Sequence, residues 1–288
     1  MKILRIGVLG ASGYVGARLC GIAEARGHAV TRFSRAARSG FRVLPPSGPP
    51  DLSGLDAVVN LAGEPILGLW TADKRKKILE SRVNATSQVS SALASLPGGP
   101  RVLVNASAIG YYGDTGETAV SESSPSGTGF LAETCRAWEA ATTPATAAGI
   151  RVVRLRIGFV VGPGGAMKLI LPVFRLGLGG NLGDGRQWMS CIHVDDVAGL
   201  ILWALGDESI EGAVNAVMPQ PVRNAGFTKA VAAAVRRPAI LPAPAFALRI
   251  ALGDLSSLML DSARVLPSVA VSNGYPYDFP DLITAVRQ

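Results

Sequence analysis

An α/β fold, a doubly wound parallel sheet with helices on both faces and a small C-terminal lobe, is predicted by three observations. Short apolar runs recur along the 288 residues, each suited to a strand buried on both faces. Longer stretches of helical character separate those runs, which implies crossover connections between parallel strands. A glycine-rich turn joins the first run to the first helix.

The first predicted strand is Ile3 to Leu9, running into Gly10-Ala11-Ser12-Gly13-Tyr14-Val15-Gly16. Leu19, Ile22 and Ala23 then recur at i, i+3 and i+4 as one helical face, and Gly27 stands where a C-terminal cap glycine belongs. Ala29 to Phe33 is the second strand. Residues 39 to 53 are rich in Pro and Gly and are expected to be a loop, the least ordered segment before residue 160. Further strands are expected at Asp56 to Leu61, Arg101 to Ala106 and Arg151 to Leu155, with helices around 72–95 and 130–148. Residues 1–218 form the expected main domain, with 166–187 an inserted loop on the substrate side. Residues 219–288 form the small lobe.

Composition narrows the class. The chain is 48% hydrophobic and 17% charged, which excludes intrinsic disorder. No uninterrupted apolar run reaches the roughly 18 residues of a spanning helix, so no membrane partner is expected. Three scattered cysteines (Cys20, Cys135, Cys191) give no disulfide framework and no metal set. Lys2 and Arg5 before an apolar stretch imitate a signal peptide, but Gly7, Gly10, Gly13 and Gly16 interrupt it. A cytoplasmic protein is expected. The net charge is +7, yet the only tight basic run is Lys74-Arg75-Lys76-Lys77, with no interleaved aromatic residues. No nucleic-acid partner is therefore expected. A phosphorylated small molecule accounts better for the excess of cations.

Glycines at 10, 13 and 16, after a strand and before a helix, form the turn that binds a dinucleotide in Rossmann domains. Gly10 permits the tight turn, Gly13 lets the backbone approach a pyrophosphate, and Gly16 allows close helix–strand packing. Ser12, Tyr14 and Val15 complete the candidate cofactor turn. An NAD site usually has Asp or Glu at the end of the second strand; here stand Ser34 and Arg35, with Arg38 close behind. Arginine suits a 2′-phosphate, so NADP (NADPH) is preferred over NAD, the alternative being a solvated strand-end charge. Leu61, Ala62 and Gly63 end a strand on the cofactor edge, and Glu64 follows on the substrate side.

Carried together, GASGYVG at 10–16, NLAGEPI at 60–66, Asn105-Ala106-Ser107-Ala108-Ile109-Gly110-Tyr111-Tyr112-Gly113-Asp114, RLRIGFVVGPGG at 154–165, GRQWMSCIHVDDV at 185–197 and the 219–288 tail resemble an atypical, extended short-chain dehydrogenase/reductase of the epimerase family proteins. The resemblance spans nearly the whole chain and implies a Rossmann domain, an NADP site and a small substrate lobe. It assigns His193, Asp195 and Asp196 to structure beneath the site, and no metal is expected.

Such dehydrogenases use Ser with a YxxxK pair, in which Lys lowers the Tyr pKa for acid–base work. None of Tyr14, Tyr111, Tyr112, Tyr275 and Tyr277 has Lys four residues on. Aligned through Glu139, the YxxxK slot falls on Leu131 to Cys135. Ser107 keeps the Ser position, and Arg82 replaces a common Asn, departures that the resemblance anticipates for this branch. The catalytic candidates are therefore Ser107, Tyr112, Arg82 and Cys135. Tyr112 is the first candidate acid/base or a wall against the substrate. Arg82 is a replacement cation at the nicotinamide ribose of the cofactor or at the substrate, or a plain ion pair, and Cys135 is more simply a small buried side chain. Glu64, Tyr112, Lys168, Arg186 and Trp188 are the substrate-side candidates, with Arg175 beside them. A small-molecule substrate is expected, an anionic or bulky one is left open, and so is a homodimer. Two functional classes stay open: an NADP-dependent oxidoreductase or nucleotide-sugar-type epimerase, and a catalytically weak NADP-binding sensor or partner-binding protein.

Overall fold

The structure, a computed structural model, describes residues 3–45 and 48–287. Lys2 of the N-terminal charge pattern and Pro46 and Ser47 of the Pro/Gly-rich loop lie outside the described residues. The chain runs through β1 (Arg5–Leu9), α1 (Tyr14–Ala25), β2 (Ala29–Ser34), β3 (Phe41–Val43), β4 (Ala57–Asn60), α2 (Ala72–Ala94) and β5 (Val102–Ala108). After a tight 3-10 turn at Ile109–Tyr112 come β6 (Ala119–Val120), α3 (Phe130–Ala140), α4 (Thr143–Ala147), β7 (Arg151–Ile157) and β8 (Phe159–Val161). Next follow α5 (Met167–Arg175), β9 (Trp188–Met189), β10 (Cys191–His193), α6 (Val194–Gly206), β11 (Gly212–Ala216), β12 (Val222–Arg223) and α7 (Asn224–Val235). The tail adds α8 (Ala245–Leu252), a 3-10 turn at Gly253–Ser256, α9 (Ser257–Leu260), β13 (Arg264–Val265), α10 (Ser268–Ser272) and α11 (Leu282–Ala285).

Among the described residues, seven strands form one parallel sheet in the order β11-β7-β5-β4-β1-β2-β3. Strand alternation explains why helices cover both faces. Ala57, Val59, Val102, Val104, Val153 and Leu155 share a core with Leu19 of α1 and Ile201 of α6. Their neighbours Val58, Leu103 and Val152 join the opposite core with Val89 of α2 and Ala145 of α4. Each buried Val or Leu contributes about 1.5–3 kcal/mol, which makes this two-sided burial the main support of the sheet. Strand order reverses between β1 and β4, and ligands of such sheets bind outside the carboxyl ends at that point.

Local chemistry sets the ends of α1. Gly27, at φ +85°, donates its N–H to Glu24, and His28 donates to Ala23, closing the helix in a left-handed cap. Two expectations need correction. The 39–53 loop contains β3, which pairs with β2 from Arg32↔Phe41 to Ser34↔Val43, a strand too short to show a period. The helix expected around 130–148 is two helices, because Pro144, in the first turn of α4, cannot continue the helix before it.

The C-terminal region is tied back by two small ladders, β9 with β12 and β6 with β13, while β8 pairs with β10 beside them. No helix among the described residues is long and apolar enough to cross a membrane.

Gly16 should tolerate no side chain, since a Cβ there would lie 2.2 Å from the Gly10 carbonyl oxygen. Gly16→Ala is expected to destabilise by about 1–3 kcal/mol in urea unfolding. Gly21→Ala, in the same helix with open space around it, is expected to stabilise by about 0.5–1 kcal/mol. Equal effects of the two substitutions would contradict this packing.

Candidate active site

Two neighbouring features lie at the carboxyl edge of the sheet. The first is the β1–α1 turn. Gly10 adopts φ +77°, and a Cβ there would strike the Leu61 backbone at 2.6 Å. Ser12 and Gly13 are exposed beyond it. The N-terminus of α1 begins at Gly13 with no side-chain cap and no acidic residue in its first turn. By contrast, Thr71 caps α2 and His193 caps α6. Free N–H groups and the positive end of a twelve-residue helix therefore face the turn, ready for an anion. Val15 packs against the core, and Tyr14 turns its ring under the Gly162–Gly165 loop, where a Cβ on Gly164 would lie 2.2 Å from it. Burial raises the Tyr14 pKa.

Nearby, Asn60 builds the Leu61–Gly63 segment. Its Nδ2 donates to Asn105 Oδ1 at 2.7 Å and to Thr86 Oγ1 at 3.0 Å, and its Oδ1 accepts from the Ala62 N–H. Trp138 Nε1 donates to the same Thr86 hydroxyl. At the end of β2, Arg35 and Arg38 are exposed, and Ser34 Oγ accepts from the Ala36 N–H.

The second feature is a cavity of about 850 Å³ beside these segments. Its floor is Ala108, Ile109 and Gly110 at the end of β5, with Ile157, Gly158 and Phe159 where β7 passes into β8. Arg82 and Cys135 line one wall. Arg82 is half-buried: its Nη1 donates to the Glu64 and Ile78 carbonyl oxygens at 3.0 Å each, and its guanidinium lies 5.1 Å from the Trp138 ring centroid. Burial lowers its pKa. A Cβ on Gly63 would meet this guanidinium at 3.2 Å, so Gly63 is open for Arg82. Burial, and then the Glu139 charge, push the Cys135 thiol up to about 11, so it stays protonated at neutral pH.

Ser107 and Tyr112 do not line this cavity; both enter a buried network beneath it. Ser107 Oγ donates to Glu139 Oε1 at 2.7 Å, and Arg156 donates from Nε and Nη2 to the two Glu139 oxygens at 2.8 and 2.9 Å. Arg156 Nη1 donates to Tyr112 Oη at 2.8 Å, and Tyr112 donates to Asn215 Oδ1 at 2.7 Å. The Arg156 guanidinium also lies 3.5 Å from the Tyr111 ring centroid. Burial opposes the Arg156 charge, but the Glu139 hydrogen bonds keep its pKa raised. Burial raises the Tyr112 pKa. The Tyr112 hydroxyl, expected to face substrate, is held instead by partners on β7 and β11.

The substrate-side candidates are also separated from the cavity. Glu64 pairs with Lys74 at 2.8 Å, which lowers its pKa. Lys168 and Arg186 are exposed elsewhere. Trp188 is flanked by Arg223 and Arg264, at 4.0 and 4.8 Å, and its Nε1 donates to Glu117. His193 Nδ1 accepts the Asp195 N–H, Asp195 pairs with Arg18, and Asp196 accepts N–H groups of Asp278 and Phe279. Among the described residues, no group of three His, Cys, Asp or Glu is placed to hold a metal.

The tail supplies a roof that local sequence patterns did not reveal. Arg249, Asp254, Leu258 and Asp261 line the cavity from α8 to just past α9, and Asp254 pairs with Arg75 of α2.

Comparisons with known proteins agree on one family. A sequence model of the NAD dependent epimerase/dehydratase family matches residues 6–216, and one of a domain of unknown function (DUF1731) matches 243–288. The chain is 38% identical over 300 residues to the chloroplastic epimerase family protein SDR39U1 homolog of Arabidopsis thaliana, covering 99% of this chain and 86% of that one. It is 36% identical over 295 residues to epimerase family protein YfhF of Bacillus subtilis, covering 99% and 97%. The crystal structure of human epimerase family protein SDR39U1 (isoform 2) with NADPH superposes with a TM-score of 0.92 at 34% identity, covering 98% of each chain.

Tyr112→Phe should lower the unfolding free energy by about 1–3 kcal/mol, because Asn215 and Arg156 each lose a buried partner. Unchanged urea unfolding would contradict the placement of this hydroxyl. Stability should also fall as pH rises above 9. Unfolded thiols ionise near 9, whereas burial holds Cys135 to about 11 and Cys191 to about 12, so the native state binds more protons there. The decline in urea midpoint from about pH 8 to about pH 10.5, across the range in which unfolded thiols ionise, should be shallower in Cys135→Ala.

Proposed function

The chain belongs to the NAD dependent epimerase/dehydratase family, and we propose that it is an NADPH-binding oxidoreductase acting on a small carbonyl or alcohol substrate. The observation that carries this reading is the uncapped N-terminus of α1 at the Gly10–Gly16 turn, next to a large cavity floored by the end of β5. The residues present fit a dinucleotide. Gly10 and Gly16 leave no room for a Cβ, Gly13 is exposed, and the first-turn N–H groups carry no internal anion. The related human protein was crystallised with NADPH.

Gly10, Ser12, Gly13 and Val15 would hold the pyrophosphate, and Leu61–Gly63 the adenosine side. Arg35, with Arg38 near it, would meet a 2′-phosphate, and no carboxylate stands at the end of β2 to repel it. When bound, the reduced cofactor supplies a hydride. The chain's own part is to place a carbonyl carbon over Ala108–Gly110 and to keep water out. Arg82 contributes a fixed positive charge beside that position, held by the Glu64 and Ile78 carbonyls rather than by a carboxylate. Cys135 contributes a neutral S–H at the same wall and is no nucleophile at neutral pH.

A second reading, a catalytically weak NADPH-binding sensor, is favoured by the capture of both Ser107 and Tyr112 in the buried network. Both readings require cofactor binding. Turnover of NADPH with a carbonyl panel separates them, and its absence for every carbonyl would favour the sensor.

Arg35→Ala should weaken NADPH binding by about 1–3 kcal/mol and leave NADH binding unchanged, as read by fluorescence titration. Equal weakening of both cofactors would overturn the 2′-phosphate assignment.

A further inference from the structure

The nine-residue helix α5 is apolar on two opposite sides. Its inner side packs on α7, where Ile170, Leu171 and Phe174 share a core with Phe227 and Val231. Leu169, Val173 and Leu176, spaced i, i+4 and i+7, form the other side, and all three are exposed, Leu176 to 74%. A helix that is apolar all round is normally covered all round. Nothing among the described residues covers this outer side.

The apolar surface continues past the helix. Leu178 is exposed next to Gly179, whose carbonyl accepts the Leu241 N–H, and Asn181 and Gly183 pair with Ala243. That pairing sets Ile240 and Leu241, 73% and 50% exposed, beside the end of α5. Farther along, α8 has no buried residue, and its Phe246 and Ile250, one turn apart, are 68% and 82% exposed. None of these side chains lines the cavity, although α8 borders it through Arg249.

Charge is sorted in the same way. The sequence has no Asp or Glu between Glu139 and Asp184 and none between Glu211 and Asp254, the stretches that build α5, α7 and α8. Lys168 and Arg175 stand on α5, and Arg236 and Arg237 follow α7 and lead into Ile240. All four are exposed, and among the described residues none of them pairs with a carboxylate.

We propose that this face docks on the surface of an anionic phospholipid bilayer. Aliphatic side chains flanked by Lys and Arg, with no anion among them, match such a surface: the apolar groups enter the acyl boundary and the cations reach head-group phosphates. A second copy of the chain fits poorly. A symmetric contact would set the four cations against their own copies, with no carboxylate in the face to separate them. A protein partner also fits poorly, because the face is Leu, Ile and Val with one Phe and lacks the Trp and Tyr that anchor protein interfaces. No helix among the described residues can cross a bilayer, and docking on its surface requires none.

Flotation of the full chain with phosphatidylcholine vesicles, with and without a third of phosphatidylglycerol, tests this. The chain should float with the mixed vesicles, and less with pure phosphatidylcholine or at high salt. Arg236→Ala combined with Arg237→Ala should weaken binding to the mixed vesicles about 5-fold per cation removed. Leu176→Ser combined with Ile240→Ser, which leaves the charge unchanged, should weaken it about 10-fold or more. Lys76→Ala with Lys77→Ala, on exposed positions of α2, should change it by less than about twofold. All substituted positions are exposed, so urea unfolding midpoints should stay at the wild-type value. Absence of flotation would overturn the proposal, as would full binding by the Leu176 and Ile240 variant. An equal loss in the α2 variant would also overturn it, by marking a general attraction of a chain of charge +7. A dimer of the free chain in sedimentation velocity, dissociated by the Leu176 and Ile240 substitutions, would give the face to a second copy instead.

Discussion

The buried pair of Arg156 and Glu139 is the contact on which the site depends. Two charges taken out of water cost more than their attraction returns unless further hydrogen bonds satisfy them. Here Glu139 accepts twice from Arg156 and once from Ser107, and Arg156 also reaches Tyr112 and lies over the Tyr111 ring. Tyr112 passes the network to Asn215, whose Nδ2 donates to the Leu266 carbonyl. Glu122 accepts from the backbone N–H groups of Asn215, Ser268 and Val269. One polar chain thus joins α3, β5, β7, β11 and the tail. It holds the tight turn after β5 that floors the cavity and anchors the segment that follows its roof.

That structural work has a chemical consequence. The Ser and Tyr expected near substrate are recruited below the floor, and the cavity is lined instead by Arg75, Arg82, Cys135, Arg249, Asp254 and Asp261 among apolar walls. Polarity at the two ends of the site is divided accordingly. The cofactor turn presents backbone N–H groups and a helix dipole, which need no particular side chain, only the absence of Cβ atoms at Gly10 and Gly16. The substrate side presents a largely apolar shape with Arg75, Arg82 and Arg249 set into it. The basic run that stands out in the sequence is partly tied into the fold, Lys74 pairing with Glu64 and Arg75 with Asp254, while Lys76 faces Glu80 on the exposed side of α2.

Features whose cause is local were legible in the sequence. The glycine turn and the left-handed cap at Gly27 follow from backbone freedom at single positions, and the strands follow from runs a few residues long. Expected and observed strands agree to within two residues, as at Asp56 to Leu61 against Ala57–Asn60. Three-residue β3 carried too little pattern, and the apolar stretch at 130–148 concealed a break that Pro144 enforces. Lys168, Arg186 and Trp188 stood beside glycine-rich loops, but loop composition does not say which way a loop folds.

The sequence by itself determined the parallel sheet, the family and the place where an anion meets α1, because period, glycine and motif act over a few residues. Only the tertiary structure decided which polar groups are free. Tyr112 meets a partner 103 residues away at Asn215, and Ser107 meets one 32 residues away at Glu139. Thr134, in the midst of an ordinary helix, meets none. Whether a hydroxyl is structural or available is set by the acceptors that distant strands bring beside it, and nothing in its own neighbourhood along the chain records that.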